Sequence, residues 1–353
     1  MVIERNRWCK KRYCLEMKNN TITYLITGVT GYIGSQIVRE IMDNEEFKND
    51  TIDLVLHCRD KEKYSKIYED VDSRHVYPVY SDIKDINHCV VEAKGQGYID
   101  KIDYIIHCAS NTTSAIMVSN PVETIDGIVV GTKAVLELAK TEKIKSMVYL
   151  SSMEVYGEIE CAPDNRATED MLGHIDIMKS RSSYPLGKRM AEGYCVAYAN
   201  EYGLPVKIAR LAQTFGKGIL SNENRSFAQF VRAASKGRDI VLKTEGKSIG
   251  NSVAIDDAIG AILFLLEHGE NGQVYNVVNE KNAMSIKEMA ELVAHIIGKD
   301  DVKVVIDIED KIQLGYAADT CLYMSGEKMR RLGWDAKKGI EEMFVDVLNS
   351  LID

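Results

Sequence analysis

The sequence predicts an α/β protein built on a doubly wound parallel sheet, with a smaller α/β part toward the C-terminus. Three observations carry that expectation. Short apolar runs alternate with helix-length amphipathic stretches through the first two-thirds of the chain. The runs are apolar throughout rather than at every second residue, as strands covered on both faces must be. A glycine-rich turn, TGVTGYIGS (27–35), joins the first run directly to the first amphipathic stretch.

In chain order, the candidate strands are TYLIT (23–27), IDLVLHC (52–58), VYPVY (76–80), DYIIHCA (103–109), SMVYLSS (146–152) and VKIARL (206–211). Between them lie stretches such as GSQIVREIMDN and GTKAVLELAKTEK, whose apolar residues recur at helical spacing. After about residue 212 the pattern loosens. The loop GKGILSNENRS leads to a helical FAQFVRAASKG and a short strand DIVLK. IDDAIGAILFLLEH reads as a helix opened by Asp256 or Asp257. SIKEMAELVAHIIG begins with a capping box, Ser285 with Glu288 three residues on.

A chain of 353 residues is long enough for one large domain or two unequal ones. The longest apolar run, Ala258 to Leu266, is too short to cross a bilayer and is broken by Gly260. The first twenty residues carry six basic groups but no apolar segment of the kind a secretion signal needs, so a cytoplasmic location is expected. A net charge of −9 argues against nucleic acid as the main partner and leaves room for an anionic small ligand, because a local site can oppose the global sign. Eight cysteines, at 9, 14, 58, 89, 108, 161, 195 and 321, form no CxxC pair and read as small core residues in a reducing compartment. The seven histidines show no spacing suited to metal ligation, so no metal site is expected.

Gly28, Gly31 and Gly34 have the spacing GxxGxxG. The first allows a tight turn, the second a close approach of backbone to a pyrophosphate, and the third close packing of helix on strand. Between a first strand and a first helix, the triplet reads as a dinucleotide site, with the diphosphate over Gly31, Tyr32 and Ile33. At the end of the second strand, HCRDKEK offers Arg59 and then Asp60. An arginine suits the 2′-phosphate of NADP, whereas an acid would bind the 2′-hydroxyl of NAD. The cofactor is therefore NAD or NADP, with Arg59 leaning toward NADP; a solvated charged turn is the plain alternative. Asp82, after the third strand, is placed to accept from an adenine amino group. Ile83, and Ala109 after the fourth strand, complete the expected cofactor contacts.

The stretch RSSYPLGKRMAE (181–192) sets Tyr184 and Lys188 four residues apart, on one face of a helix. Pro185 fits only a first helical turn, and Ser182 and Ser183 stand where a cap is wanted. An isolated YxxxK is most often a surface pair. The company it keeps decides otherwise.

With the glycine loop, the strand ending SSMEVYG (151–157) and the YPLGK motif in one chain, the sequence resembles the extended short-chain dehydrogenase/reductase family. That group holds NAD-dependent nucleotide-sugar epimerases, 4,6-dehydratases and decarboxylases. The resemblance covers roughly residues 21–345, including NPVETIDGIVVGTKAVLELA, RLAQTFG, VYNVVNE and KMRRLGW. It implies a Rossmann domain over 21–212 after a mobile extension over 1–20. It also implies a mainly substrate-binding part over 213–353, with segments near 251–280 returning to the Rossmann domain. Tyr184 matches the family's base, Lys188 its partner and Ser152 the hydroxyl that binds the same oxygen. A phenol with an ordinary pKa near ~10 is a poor base at neutral pH, so a nearby lysine and an oxidised nicotinamide would have to favour the phenolate.

Glu154, two residues past Ser152, and Arg181, three before Tyr184, narrow the group. SMEVYGE and RSSYPLGKRMAE are similar to the matching strings of UDP-glucuronate decarboxylases, and the former also to those of GDP-mannose 4,6-dehydratases. A carboxylate there suits removal of a C5 proton once C4 is a ketone; the plain alternative is a pairing role at the pocket edge. Met153 stands where dTDP-glucose dehydratases carry an aspartic acid. The resemblance places Ser110, Met153, Arg181, Gln213 and Arg225 against a substrate. Other positions depart from the pattern. Gly250 occupies the place of a phosphate-binding arginine, and Cys321 or Tyr316 that of a further arginine. Arg210, Lys217, Arg225 and Arg232 are the cations available to compensate.

The expected activity is that of a nucleotide-sugar epimerase/dehydratase that oxidises C4 transiently. The alternatives are a UDP-glucuronate decarboxylase-like enzyme, a net reductase and, from another class, a dinucleotide-binding regulator. Relatives commonly pair through two helices that fall here at about 124–141 and 185–201, so a homodimer is expected.

Overall fold

A computed structural model describes residues 21–44, 52–71, 73–220, 223–298, 301–308 and 320–352. The extension 1–20 and Tyr316 lie outside these residues. The first half of the chain runs β1 (Ile22–Thr27), α1 (Tyr32–Asp43), β2 (Ile52–Cys58), α2 (Lys61–Ile67), β3 (Val76–Tyr80), α3 (Ile86–Gly95) and β4 (Tyr104–His107). It continues through α4 (Ser114–Ser119), α5 (Pro121–Glu142), β5 (Ser146–Ser152), α6 (Ser183–Tyr202), β6 (Val206–Leu211) and β7 (Gln213–Phe215). Then follow α7 (Ser226–Ser235), β8 (Ile240–Leu242), β9 (Ile249–Ala254), α8 (Ile255–His268), β10 (Val274–Val277) and β11 (Asn279–Ser285). The chain closes with α9 (Ile286–Ile296), β12 (Val304–Ile306), α10 (Glu327–Leu332) and α11 (Ile340–Ile352).

Seven strands form one parallel sheet in the order β10-β6-β5-β4-β1-β2-β3. Every residue of β2 is buried, because helices cover both faces. One face packs Ile37 and Val38 of α1 and Ala258, Ile259 and Ile262 of α8; the other packs α3, α5 and α6 through Val90, Val135 and Ala191. The chain leaves β1 toward β2 and β3, then returns to place β4, β5 and β6 on the other side. The reversal falls between β1 and β4, the place where such sheets open a crevice for a ligand. A side-chain relay locks the two loops there. Thr27 Oγ1 lies 2.7 Å from His107 Nδ1 and accepts from the Ala109 N–H at 3.2 Å. Burial lowers the pKa of His107 to about 3, so its ring works as a neutral hydrogen-bonding group.

Beyond β6 the structure adds order that the looser pattern did not suggest. β7, β9 and β11 form a separate three-stranded sheet, and β8 pairs with β12. The strand β10 joins the main sheet beside β6, and α8 packs on β5 and β6. Helix α8 is capped at Ala254, with Asp256 and Asp257 in its first turn rather than at the cap. Asp257 accepts instead from the N–H groups of Lys337 and Lys338. The capping box of Ser285 and Glu288 at α9 is present in full. Among the described cysteines, Cys58 and Cys195 are buried but Cys321 is exposed, so not all of them are core residues. No described helix is long and apolar enough to cross a membrane.

Candidate active site

The glycine loop turns at the crevice in the tightest way the chain allows. Gly28 has φ +73°, and a Cβ there would lie 2.8 Å from backbone atoms of Ala109. A Cβ on Gly34 would lie 2.4 Å from the Gly28 carbonyl oxygen. Gly31 caps α1 without a side chain, and the first turn of that helix carries no acid. A helix N-terminus with no side-chain cap and no acid in its own first turn suits a diphosphate. Across the reversal, the Ser110 hydroxyl oxygen is buried and has no hydrogen-bond partner in the protein. A crowded glycine turn, a free helix end and an orphaned hydroxyl around one crevice are what a dinucleotide site requires. Ile33 is half-buried beside them, and Tyr32 donates to the Lys217 carbonyl at 2.9 Å.

At the end of β2, Arg59 and Asp60 part company. Asp60 accepts from the Lys63 N–H at 2.9 Å and so caps α2. Arg59 is exposed and pairs with the equally exposed Glu123 at 3.3 Å. Asp82 accepts from the Lys84 N–H at 3.0 Å, and Ile83 is buried against Gly131.

The end of β5 passes into a 3₁₀ turn, Met153–Tyr156, capped by Ser152, which accepts from the Glu154 N–H at 3.2 Å. Facing it is the start of α6. Ser182 holds the N-cap position as expected, but its side chain makes no capping hydrogen bond. Ser182 donates to the Asp176 carbonyl at 2.6 Å and Ser183 to the Met117 carbonyl at 3.2 Å, so both anchor the entry loop instead. Pro185 does sit in the first turn.

Tyr184 is buried, and the Ser152 hydroxyl lies close enough to act on its phenol. Burial pushes its pKa up, and the charge of Glu154 adds to the rise; Ser152, Arg181 and Arg225 pull it down. Lys188 is buried too, and burial lowers its pKa to about 8. Its Nζ donates to the Leu150 carbonyl at 2.7 Å and lies 5.8 Å from the centre of the Tyr184 ring. The cations that favour the phenolate here are thus Arg181 and Arg225, with Lys188 turned to the strand.

Glu154 does not stand alone. Arg181 Nη2 donates to its Oε1 at 2.8 Å, and the guanidinium lies 5.9 Å from the centre of the Tyr184 ring. Tyr184, Ser152, Glu154 and Arg181 therefore form one cluster. Met153 is half-buried against the sheet core. Gln213 begins β7, half-buried. Arg225 caps α7, pairs with Glu223 at 2.6 Å and acts electrostatically on both Tyr32 and Tyr184.

Of the four cations offered as compensation, Arg210 is a correction. It is buried and bound to Glu192 by two donors, at 3.0 and 2.8 Å, so it serves the interior. Lys217 pairs with Asp256 at 3.1 Å, and Arg232 donates to the Glu223 carbonyl. Around Gly250, by contrast, a Cβ would meet no atom within 4 Å among the described residues. The sequence reading missed Glu192. Half of its signal was present, a carboxylate four residues past Lys188 on the same helical face; its pairing with Arg210 had none.

Comparison with known proteins places this geometry among relatives. The profile of the NAD dependent epimerase/dehydratase family matches residues 24–278. UDP-glucuronic acid decarboxylase 1 of Xenopus tropicalis is 29% identical over 277 residues, which cover 78% of this chain and 60% of that protein. The chain thus spans well under two-thirds of that relative's length. The low-salt glycan biosynthesis protein Agl12 of Haloferax volcanii is 23% identical, with 93% of this chain and 97% of that one covered. Among solved structures, a UDP-glucose 4-epimerase from Thermotoga maritima superposes with a TM-score of 0.76 at 20% identity, over 94% of this chain and 99% of that one. A dTDP-glucose 4,6-dehydratase from Bacillus anthracis gives 0.74 at 22%, over 94% and 96%.

Proposed function

This chain belongs to the NAD dependent epimerase/dehydratase family, and we propose that it is a nucleotide-sugar enzyme that oxidises the sugar at C4 transiently and returns the hydride within the same cycle. The observation that carries the reading is the cluster of Ser152, Tyr184 and Lys188 beside the sheet reversal, with Glu154 and Arg181 in contact. Gly28, Gly31, Tyr32, Ile33 and Gly34 would hold the diphosphate of a nicotinamide dinucleotide, with Asp82, Ile83 and Ala109 along its length. When bound, that group supplies the acceptor and donor of hydride at C4. Tyr184 takes the C4 hydroxyl proton, and Ser152 hydrogen-bonds the same oxygen. Arg181 and Arg225 lower the cost of the phenolate, and Lys188 fixes the strand end beneath it. Glu154, held ready by Arg181, removes a C5 proton. Ser110, Met153, Gln213 and Arg225 meet the substrate.

A second reading, decarboxylation of UDP-glucuronate, is favoured by the Xenopus relative and by RSSYPLGKR itself. Two experiments decide between them. Thermal shift against UDP-, dTDP-, GDP- and CDP-sugars should single out one nucleotide; no response to any, in folded protein, sinks the nucleotide-sugar reading. On the sugar that responds, Glu154→Gln should leave bound cofactor reduced and turnover slowed about 10²–10⁴-fold. Unchanged turnover removes C5 chemistry and leaves a 4-epimerase or a reductase that uses Ser152, Tyr184 and Lys188. We also propose a homodimer through α5 and α6, which pack on each other and leave Val122, Ile125, Val130 and Met190 exposed. Light scattering that gives a monomer mass would contradict it.

A further inference from the structure

The proposed chemistry uses side chains from the end of β5 and the start of α6. Glu192 ties those two elements together. It follows Tyr184 and Lys188 at the same four-residue interval, so the three share one face of α6. That face meets three consecutive residues of β5. Lys188 donates to the Leu150 carbonyl at 2.7 Å, Ser151 donates its hydroxyl to Glu192 Oε1 at 2.5 Å, and the Ser152 hydroxyl acts on the phenol of Tyr184.

Glu192 is fixed from its other side as well. Arg210, in β6, gives Nε to Oε1 at 3.0 Å and Nη2 to Oε2 at 2.8 Å, and Nη1 to the Glu169 carbonyl at 2.8 Å. Both side chains of the pair are under a tenth exposed, at 3% and 8%. The guanidinium lies 5.0 Å from the centre of the Tyr156 ring, whose hydroxyl donates to Asn276 of β10 at 2.7 Å. The pair therefore joins α6 to the ends of three neighbouring strands.

A buried ion pair is a poor source of stability, because well-packed apolar residues in its place often leave a fold as stable or more so. What it supplies is direction: a planar fork on a carboxylate fixes distance and angle where apolar contact does not. We propose that Glu192, held by Arg210, is a positioning residue for the reaction. Through Ser151 it sets the register of α6 on the end of β5, and with it the placement of Tyr184 relative to Ser152. This rests on the proposed role of Tyr184, and the test keeps the two apart.

The decisive variant combines Glu192→Met with Arg210→Met, which removes both charges together and leaves no buried ion unpaired. Its melting temperature should be unchanged or raised. Crystal structures of parent and variant grown with NAD should differ in where the Tyr184 hydroxyl stands relative to the Ser152 hydroxyl, with the two moved apart in the variant. With UDP-glucuronate as probe substrate, kcat should fall about 10–100-fold while KM stays within about twofold. A variant structure in which the two hydroxyls keep the parent's separation overturns the proposal, whether or not the probe is turned over; so does a full kcat. If the paired variant fails to fold, Ser151→Ala replaces it, since it removes one hydroxyl from Glu192 and carries the same expectations and the same overturning results. Activity retained in Tyr184→Phe would instead refute the reading of the site, with the crystal structure still deciding the role of Glu192.

Discussion

Two glycines, one in each part of the molecule, are glycines for opposite reasons. A Cβ at Gly34 would lie 2.4 Å from the Gly28 carbonyl oxygen, whereas one at Gly250 would find no atom within 4 Å among the described residues. The difference extends to their surroundings. Around the glycine loop and the β5–α6 junction, Tyr184 and Lys188 are buried, and Lys188 is held to the adjoining strand. In the part that follows β6, Lys217 and Arg225 are partly exposed, and each is already paired with a carboxylate. The first part is crowded and carries the proposed chemistry. The second is looser among the described residues, and there the chain lacks the arginines that the resemblance implies.

The largest effect should come from the fixed part. Tyr184→Phe removes one oxygen and almost no volume, so the melting temperature should hardly move and dinucleotide affinity should persist. Turnover should nevertheless fall about 10²–10⁴-fold. A variant that keeps a tenth of the activity would show that the buried phenol is not the base, and the contrast between a committed and an adjustable part would lose its centre. Next in size is one substitution made at both glycines. Gly34→Ala forces backbone apart and should cost about 1–3 kcal/mol together with weakened dinucleotide binding. Gly250→Ala, at a position with open space and no positive φ, should stay within about 0.5 kcal/mol of the parent. Equal losses in calorimetry would break the comparison.

The same division explains what could be read from the sequence. β1, β2, β3, β5 and β6 match the apolar runs almost residue for residue, because a strand buried on both faces leaves an uninterrupted signal. The small sheet of β7, β9 and β11 went unread, since stretches such as NEKNAMS are half-exposed and carry no such run. Motif residues were legible because spacing alone put Tyr184 over Lys188. Pairings across the chain were not. Nothing local says that Arg210 is committed to Glu192, that Arg181 holds Glu154, or that Ser182 and Ser183, at the start of α6, donate to Asp176 and Met117. Those are decided by which elements become neighbours, and sequence spacing is silent on that.

A smaller effect should come from filling the open space. Gly250→Arg places a guanidinium where the resemblance implies one, at a position whose Cβ would meet no atom within 4 Å among the described residues. A charge-assisted contact to a diphosphate is worth about 1.5–3 kcal/mol where it forms fully and less at a half-exposed site. We expect KM for the nucleotide sugar to drop by about threefold to tenfold, kcat to hold, and the gain to shrink with salt. A raised KM would mean that the open space is already the substrate's own.

The smallest effect concerns cofactor choice, and Arg59 is where the fixed part reaches the surface. Asp60 is engaged in capping α2 through the Lys63 N–H, so the acid that would favour NAD is tied down. Arg59 is held only by an exposed pair with Glu123 at 3.3 Å, a contact that typically contributes under about 1 kcal/mol. A 2′-phosphate can displace Glu123 from such a pair, since it offers more charge and more acceptor oxygens. The displacement and the exposure both limit the gain, so NADP should bind only about threefold to tenfold more tightly than NAD. Titration calorimetry should show Arg59→Ala bringing the two affinities together while leaving that for NAD nearly unchanged. Glu123→Gln should widen the preference, because it frees the guanidinium without removing it. If NAD binds more tightly than NADP to the parent and to both variants, Arg59 is a solvated surface charge and the choice lies with residues nearer the glycine loop.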